Sequence, residues 1–204
     1  MELDRYPAMK RIREEYSEIE SNPPTFESDR RRTNKSNGIA SLPGMKRIQR
    51  VRRRLAEEYR AIKSNPSDDF DCRMLERNPY EWQFGIRGAS GTEFEGGVYH
   101  GRIQFPEEYP SKPPSFTLLT ENGRFKTHNK IRIRRLNDWL PSWTVRDALY
   151  ALIDEMPTYP DGELGSVEYN KEETRDLAIK SRAAAPKFGT SERQKLIDEI
   201  HKYC

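Results

Sequence analysis

The chain has 204 residues, 34% hydrophobic and 34% charged, with a formal net charge of +3, enough for one sizeable core plus an appendage. Nothing in it approaches the roughly 18 consecutive apolar residues of a membrane span, and the opening MELDRYPAMK lacks the apolar run of a secretory signal. Two cysteines, Cys72 and Cys204, are too few for a disulfide framework or a zinc site, so a cytoplasmic setting is expected, with the nucleus also open.

Charge is unevenly spread. Residues 1–66 hold 16 Lys/Arg against 10 Asp/Glu, and the remainder holds 20 against 23. The same N-terminal stretch contains an internal repeat. MKRIREEYSEIESNPP at 9–24 and RRRLAEEYRAIKSNPS at 52–67 agree at eight of sixteen positions with an offset of 43, and the opening MKRI recurs at 45–48. Both copies place apolar residues at helical spacing: Ile12, Tyr16 and Ile19, then Leu55, Tyr59 and Ile62. Each ends at Ser-Asn-Pro, because the residue before proline resists the helical region. Between them, 23–44 is rich in Ser, Asn, Pro and Arg and reads as a flexible linker. The organisation expected is therefore a duplicated helix and linker over 1–44 and a folded domain over 45–204. Two readings of the extra helix stand: it docks where its twin at 52–63 docks or masks the twin's partner surface, or it is a silent duplication or two alternative first exons joined in one chain.

From Phe70 the periodicity becomes that of strands. Runs over 72–77, 82–87, 98–105 and 115–120 are separated by turns at Asn78-Pro79, at 88–91 and before Pro113-Pro114. Val98, His100, Arg102 and Gln104 alternate with Tyr99, Gly101, Ile103 and Phe105. Short strands joined by small turns predict a four-stranded antiparallel meander. Helices follow over 144–156, 171–185 and 190–203, with Thr144 and Thr190 as N-caps. Asp147 and Glu192 suit the positive helix end, whereas Arg193 does not. The order of helix, strands, irregular stretch and helices predicts an α+β domain.

The series Gly-Gly, Tyr-His-Gly, Phe-Pro, Tyr-Pro and Pro-Pro from Gly96 to Pro114, at this spacing, resembles the ubiquitin-conjugating enzyme fold over about two-thirds of the chain. Gly123-Arg124-Phe125, then Trp139-x-Pro141-x-Trp143-Thr144-Val145, then Leu164-Gly165-Ser166-Val167 resemble its J-type branch. That branch typically carries a C-terminal membrane anchor and serves endoplasmic-reticulum-associated degradation. No such apolar segment occurs in this sequence, so residence at that membrane would require a partner. The glycines and prolines of these motifs also build turns in their own right, and they speak for fold before activity.

In this family ubiquitin is carried as a thioester on one cysteine, since thiolate is both a strong nucleophile and a good leaving group. Counting from Gly123-Arg124-Phe125, the resemblance aligns that cysteine with Arg132, whose guanidinium offers no lone pair to carry an acyl group. The asparagine that some members place four residues earlier aligns with His128, here a solvated loop histidine. No cysteine occurs between 73 and 203. Cys72 belongs to the first strand, away from the loop, and Cys204 is reachable only as a mobile tail. The segment between Arg132 and Trp143 is shortened, and the basic cluster Lys130, Arg132, Arg134 and Arg135 surrounds its start, which suggests a decayed or reshaped site.

The resemblance thus implies a catalytically inactive variant that holds ubiquitin, a ubiquitin-like protein, an active conjugating enzyme or a ligase, without cofactor, metal or small-molecule substrate. Its first helix would meet activating enzyme and ligases through Arg53, Arg54, Arg60 and Lys63. The ligase-facing loops would present Pro110 and Ser111, where a large apolar anchor is missing, and Pro141 and Trp143. One alternative is an active ubiquitin-conjugating enzyme charged on Cys204 or on an unrecognised nucleophile. A remoter one is nucleic-acid binding through KRIQRVRRR at 46–54, which would give salt-dependent attraction to phosphates.

Overall fold

The computed structural model describes residues 43–158, 165–168 and 170–204. The first repeat copy at 9–24, nearly all of the expected linker and Leu164 of the third J-type motif lie outside them. The chain divides into two compact units, Met1–Arg47 and Ile48–Cys204; the second holds the site.

Helix α1 spans Pro43–Ser64 and so begins upstream of the repeat at Arg52. Val51, Leu55 and Ile62 are buried along one stripe, and the helix stops just before Asn65-Pro66 as expected. Five strands follow: β1 Phe70–Met74, β2 Glu81–Arg87, β3 Val98–Gln104, β4 Ser115–Leu118 and β5 Lys130–Ile131. They form one antiparallel sheet in sequential order. The first strand starts two residues earlier than its expected 72–77 and ends at Met74. Its register pairs Phe70 with Ile86 and Met74 with Trp82, and Phe70 packs edge-on against Tyr150 at 5.4 Å. Beyond Met74 the chain turns, with Glu81 donating its backbone N–H to the Asn78 carbonyl at 3.0 Å. The four-stranded meander is present, and β5, two residues long, extends it.

Helix α2, Val145–Glu155, starts from Thr144 in a capping box with Asp147. Helices α3, Lys171–Ala183, and α4, Ser191–Tyr203, complete the domain, with Asn170 and Thr190 as their N-caps. The two sheet faces are covered by different helices. Phe70, Phe84 and Tyr99 share the face that meets α2, along with Trp82 and Ile103. On the other face Gly85 and His100 lie opposite each other beneath α4. Arg193, ill-placed for the helix dipole, makes two hydrogen bonds to Glu81 of β2 at 2.6 and 2.9 Å. An ion pair to the sheet explains what the dipole disfavours.

Candidate functional site

The loop leaving β4 is organised by Asn122, whose side chain is almost wholly buried. Its Nδ2 donates to the carbonyls of Thr120 and Phe125 at 2.8 and 3.1 Å, and its Oδ1 accepts from the backbone N–H of Arg124 and Phe125 at 3.0 and 2.7 Å. The Gly-Arg-Phe and Gly-Ser-Val motifs are joined to each other here. Lys126 donates its N–H to the Gly165 carbonyl, Val167 donates to the Arg124 carbonyl, and Phe125 bridges Ser166. An open cleft of about 480 Å³ lies between this loop and α3, bordered by Asn122, Phe125, Lys126, Glu173 and Leu177.

His128 has a left-handed backbone, φ 63°, while its N–H donates to the Leu118 carbonyl at 2.8 Å. Its ring is not simply solvated: it stacks on Phe188 with centroids 5.9 Å apart. Two residues on, β5 pairs Ile131 with Phe116 and Lys130 with Thr117. Ile131 and Ile133 are buried at 5% and 3% exposure, and Arg132 between them is exposed. Period-2 alternation thus points position 132 to solvent.

The basic cluster around Arg132 divides. Arg134 donates Nε to Glu155 at 2.8 Å and its backbone N–H to the same carboxylate at 3.2 Å, anchoring the 3-10 turn Arg134–Asp138 to α2. Glu155 is buried and also lies 3.7 Å from the fully buried Arg124. Asp154 beside it is pushed up to about 6, chiefly by burial, with Arg135 opposing and Asp69 and Glu155 adding to the rise. Lys130 and Arg132 are exposed.

Neither cysteine is brought to this loop. Cys72 is fully buried in β1, and burial pushes its thiol up to about 12. Cys204 is not a mobile tail: it caps α4, its backbone N–H donating to the Ile200 carbonyl at 2.9 Å. Its sulfur packs over Gly85 of β2, and burial pushes the thiol up to about 11. From β2 to β5 is three strand spacings, about 14 Å, so the helix would have to leave the sheet for Cys204 to reach Arg132.

The partner-facing residues expected from the sequence sort into two kinds. Arg53, paired to Glu57 at 3.7 Å, and Arg60 project from α1 into solvent. Arg54 is turned inward, donating to Glu58 at 2.5 Å and to the Trp143 carbonyl at 3.1 Å, and Lys63 is paired with Asp71. The two loops meet each other: Trp139 Nε1 donates to the Pro110 carbonyl at 2.7 Å across a cis Tyr109-Pro110 bond. Trp139 also packs against Trp143 at 5.9 Å, while Ser111 and Pro141 are exposed.

Three organising residues escaped the sequence reading. Glu58, buried beneath these loops, sits on the apolar stripe three residues after Leu55 and four before Ile62, an acid at a core position and hence a sign of a buried partner. Asn122 was signalled by its Asn-Gly step. Glu155 had no such mark. Among the described residues, no group of three or more His, Cys, Asp or Glu side chains is arranged to hold a metal ion, and no helix is long and apolar enough to cross a membrane.

A family model described as ubiquitin-conjugating enzyme matches residues 54–175. Ubiquitin-conjugating enzyme E2 32 of Arabidopsis thaliana is 59% identical over 155 residues, covering 74% of this chain and 50% of that protein. Human ubiquitin-conjugating enzyme E2 J1 is 47% identical over 134 residues, covering 64% of this chain and 42% of its own length. The structure of human ubiquitin-conjugating enzyme E2 G1 superposes with a TM-score of 0.45 at 24% identity, over 50% of this chain and 90% of that one. The chain spans about half the length of the relatives it matches, and the J-type branch fits them. The α+β domain with its antiparallel sheet is the ubiquitin-conjugating-enzyme fold, and the chain belongs to the ubiquitin-conjugating enzyme family.

Proposed function

We propose that the chain is a catalytically inactive ubiquitin-conjugating-enzyme variant, a non-covalent binding or regulatory module of the ubiquitin pathway. The observation that carries this reading is Arg132. Counted from Gly123-Arg124-Phe125 it takes the place the resemblance gives the family cysteine, it is exposed just after β5, and no cysteine occurs in the sequence from 73 to 203. A guanidinium at that point provides a positive charge and five donors but no nucleophile. The two thiols the chain does possess are raised to about 12 and about 11 by burial, which suppresses the thiolate that acyl transfer needs.

The partners consistent with this role are ubiquitin or a ubiquitin-like protein, and an active conjugating enzyme or ligase. Arg53 and Arg60 on α1 and the joined loops at Pro110, Ser111, Pro141 and Trp143 are the surfaces offered to them. The likeness to J-type proteins makes protein quality control at the endoplasmic reticulum the natural setting.

A charging assay tests the reading. The purified chain, activating enzyme, ubiquitin and ATP are run on a non-reducing gel beside Arg132→Cys and Cys204→Ser. No reducible adduct is expected from the natural sequence, and an adduct from Arg132→Cys would show that the surface for activating enzyme is retained. An adduct on the natural chain that Cys204→Ser removes would overturn the proposal and make Cys204 the nucleophile.

A further inference from the structure

Helix α4 closes a sheet face that is otherwise polar and charged. Its apolar contribution is confined: Ile197 and Ile200 are its fully buried side chains. Most of the remaining seam is electrostatic. Arg193 pairs with Glu81, Glu192 accepts the Glu76 backbone N–H at 2.9 Å, Arg73 lies 4.0 Å from Glu199, and Arg87 donates to the Tyr203 carbonyl at 3.2 Å. At its centre two imidazoles meet, His100 Nε2 and His201 Nδ1 being 3.0 Å apart. His100 is wholly buried, whereas His201 is half-buried.

A hydrogen bond between two imidazole nitrogens needs one protonated and one bare. The neutral pair satisfies this with the His100 proton on Nε2, because His100 Nδ1 is buried with no hydrogen-bond partner among the described residues. A further proton on His100 fits badly, because it makes a buried charge whose Nδ1–H faces no acceptor among the described residues.

The charged groups around the pair do not relieve this. On α4, Asp198 acts on His100 in the direction that favours the proton, but its Oδ1 is engaged by Gln194 at 2.8 Å. On β2 the neighbour is Gly85, and beside it the neutral Cys204 thiol, which is itself the group facing Asp71 of β1 and Arg87 of β2. Thr120, receiving the His100 backbone N–H at 2.9 Å, is uncharged.

We propose that α4 is a releasable cap, latched on β1–β3 by the neutral His100–His201 pair and loosened by mild acid. Burial holds His100 down at about 3 from an ordinary 6.5, so the docked helix binds the proton less readily than the released one. The sign follows: docking is at full strength above about pH 6.5 and is lost progressively as pH falls below it. Between pH 7.5 and 5.5 the docking equilibrium should weaken by roughly tenfold, since proton uptake on release rises from about a tenth of a proton to about nine-tenths and averages about one half across that range.

Hydrogen exchange on the full chain at the two pH values tests the proposal, with rates corrected for intrinsic exchange. Opening of residues 191–203 is expected to rise about tenfold at pH 5.5 while residues 145–155 of α2 change less than about twofold. His100→Gln should abolish the difference. Parallel changes in both helices, no change in either, or an undiminished pH response in a folded His100→Gln protein would each overturn it. If His100→Gln does not fold, the comparison of α4 with α2 in the natural chain decides.

Discussion

The Tyr109 hydroxyl reaches both carboxylate oxygens of Glu58, at 2.8 and 2.9 Å, and through them joins the loop after β3 to α1. The same carboxylate accepts from Arg54 at 2.5 Å and from the Val145 backbone N–H at 2.6 Å at the start of α2. One buried acid therefore satisfies donors from three parts of the chain, and burial together with this carboxylate keeps the Tyr109 phenol protonated well above the usual range. Removing the tyrosine hydroxyl with Tyr109→Phe should cost about 2 kcal/mol, as for a hydrogen bond to a charged group. Glu58→Ala should cost more, about 3 kcal/mol or above, because Tyr109, Val145 and Arg54 all lose their acceptor. Urea unfolding of both variants checks the order, and a Glu58→Ala penalty smaller than that of Tyr109→Phe would contradict it.

Gly85 sits mid-strand because α4 leaves no room for a side chain. A β-carbon there would meet Ile200 Cγ2 at 2.6 Å and Cys204 Sγ at 3.3 Å. Gly85→Ala is expected to destabilise by about 1–3 kcal/mol through overpacking. Ile200→Ala, which opens a cavity at the same point, should cost about 2–5 kcal/mol alone, and the double variant less than the sum. Strict additivity in thermal or urea unfolding would show that the two sites do not share this space.

Asp154 carries the third prediction. Its pKa of about 6 lies above the ordinary 3.8, so the folded protein binds this proton more tightly than the unfolded chain. The group's contribution to stability is therefore largest in acid and is lost as pH rises through about 6. Asp154→Asn, which mimics the protonated form, should stabilise the protein relative to the natural sequence at about pH 8 and make little difference at about pH 4. An equal effect at both pH values in urea unfolding would remove burial of Asp154 as the cause.

Cys204 provides a chemical test of its packing. With its thiol raised from 9.0 to about 11, two units, its thiolate fraction near pH 7.5 is about a hundredfold below that of an ordinary cysteine. Alkylation should be slower by at least that factor, and slower again for Cys72 in the core. Alkylation of Cys204 at the rate of an unfolded peptide would mean that α4 does not hold it against Gly85.

Local rules made some of the structure legible. Thr144 before a run opening Val-Arg-Asp is a capping pattern readable from four residues, and it forms as read. The alternation in 98–104 likewise gives β3 and its two faces. Long-range partners were not legible. Lys130–Ile131 is too short to show a period, and it becomes a strand through pairing with Phe116 and Thr117. Ile197 and Ile200 mark an apolar face on α4, yet no local rule says that it will land on Gly85 or that Arg193 will find Glu81, 112 positions away. At the site, the motifs identified the loop. The engagement of Arg54 and Arg134 with buried carboxylates depended on where Glu58 and Glu155 came to lie.

The placement of Arg132 has a consequence for how chemistry and architecture separate in this chain. Ile131 and Ile133 fasten the backbone into the core on either side, and the residue between them touches water. The strand end is therefore held by its neighbours and not by whatever stands at 132. The side chain at that one position could thus change while the loop around it kept its shape, and on the proposed reading of Arg132 the exchange would leave a recognition surface of unchanged form.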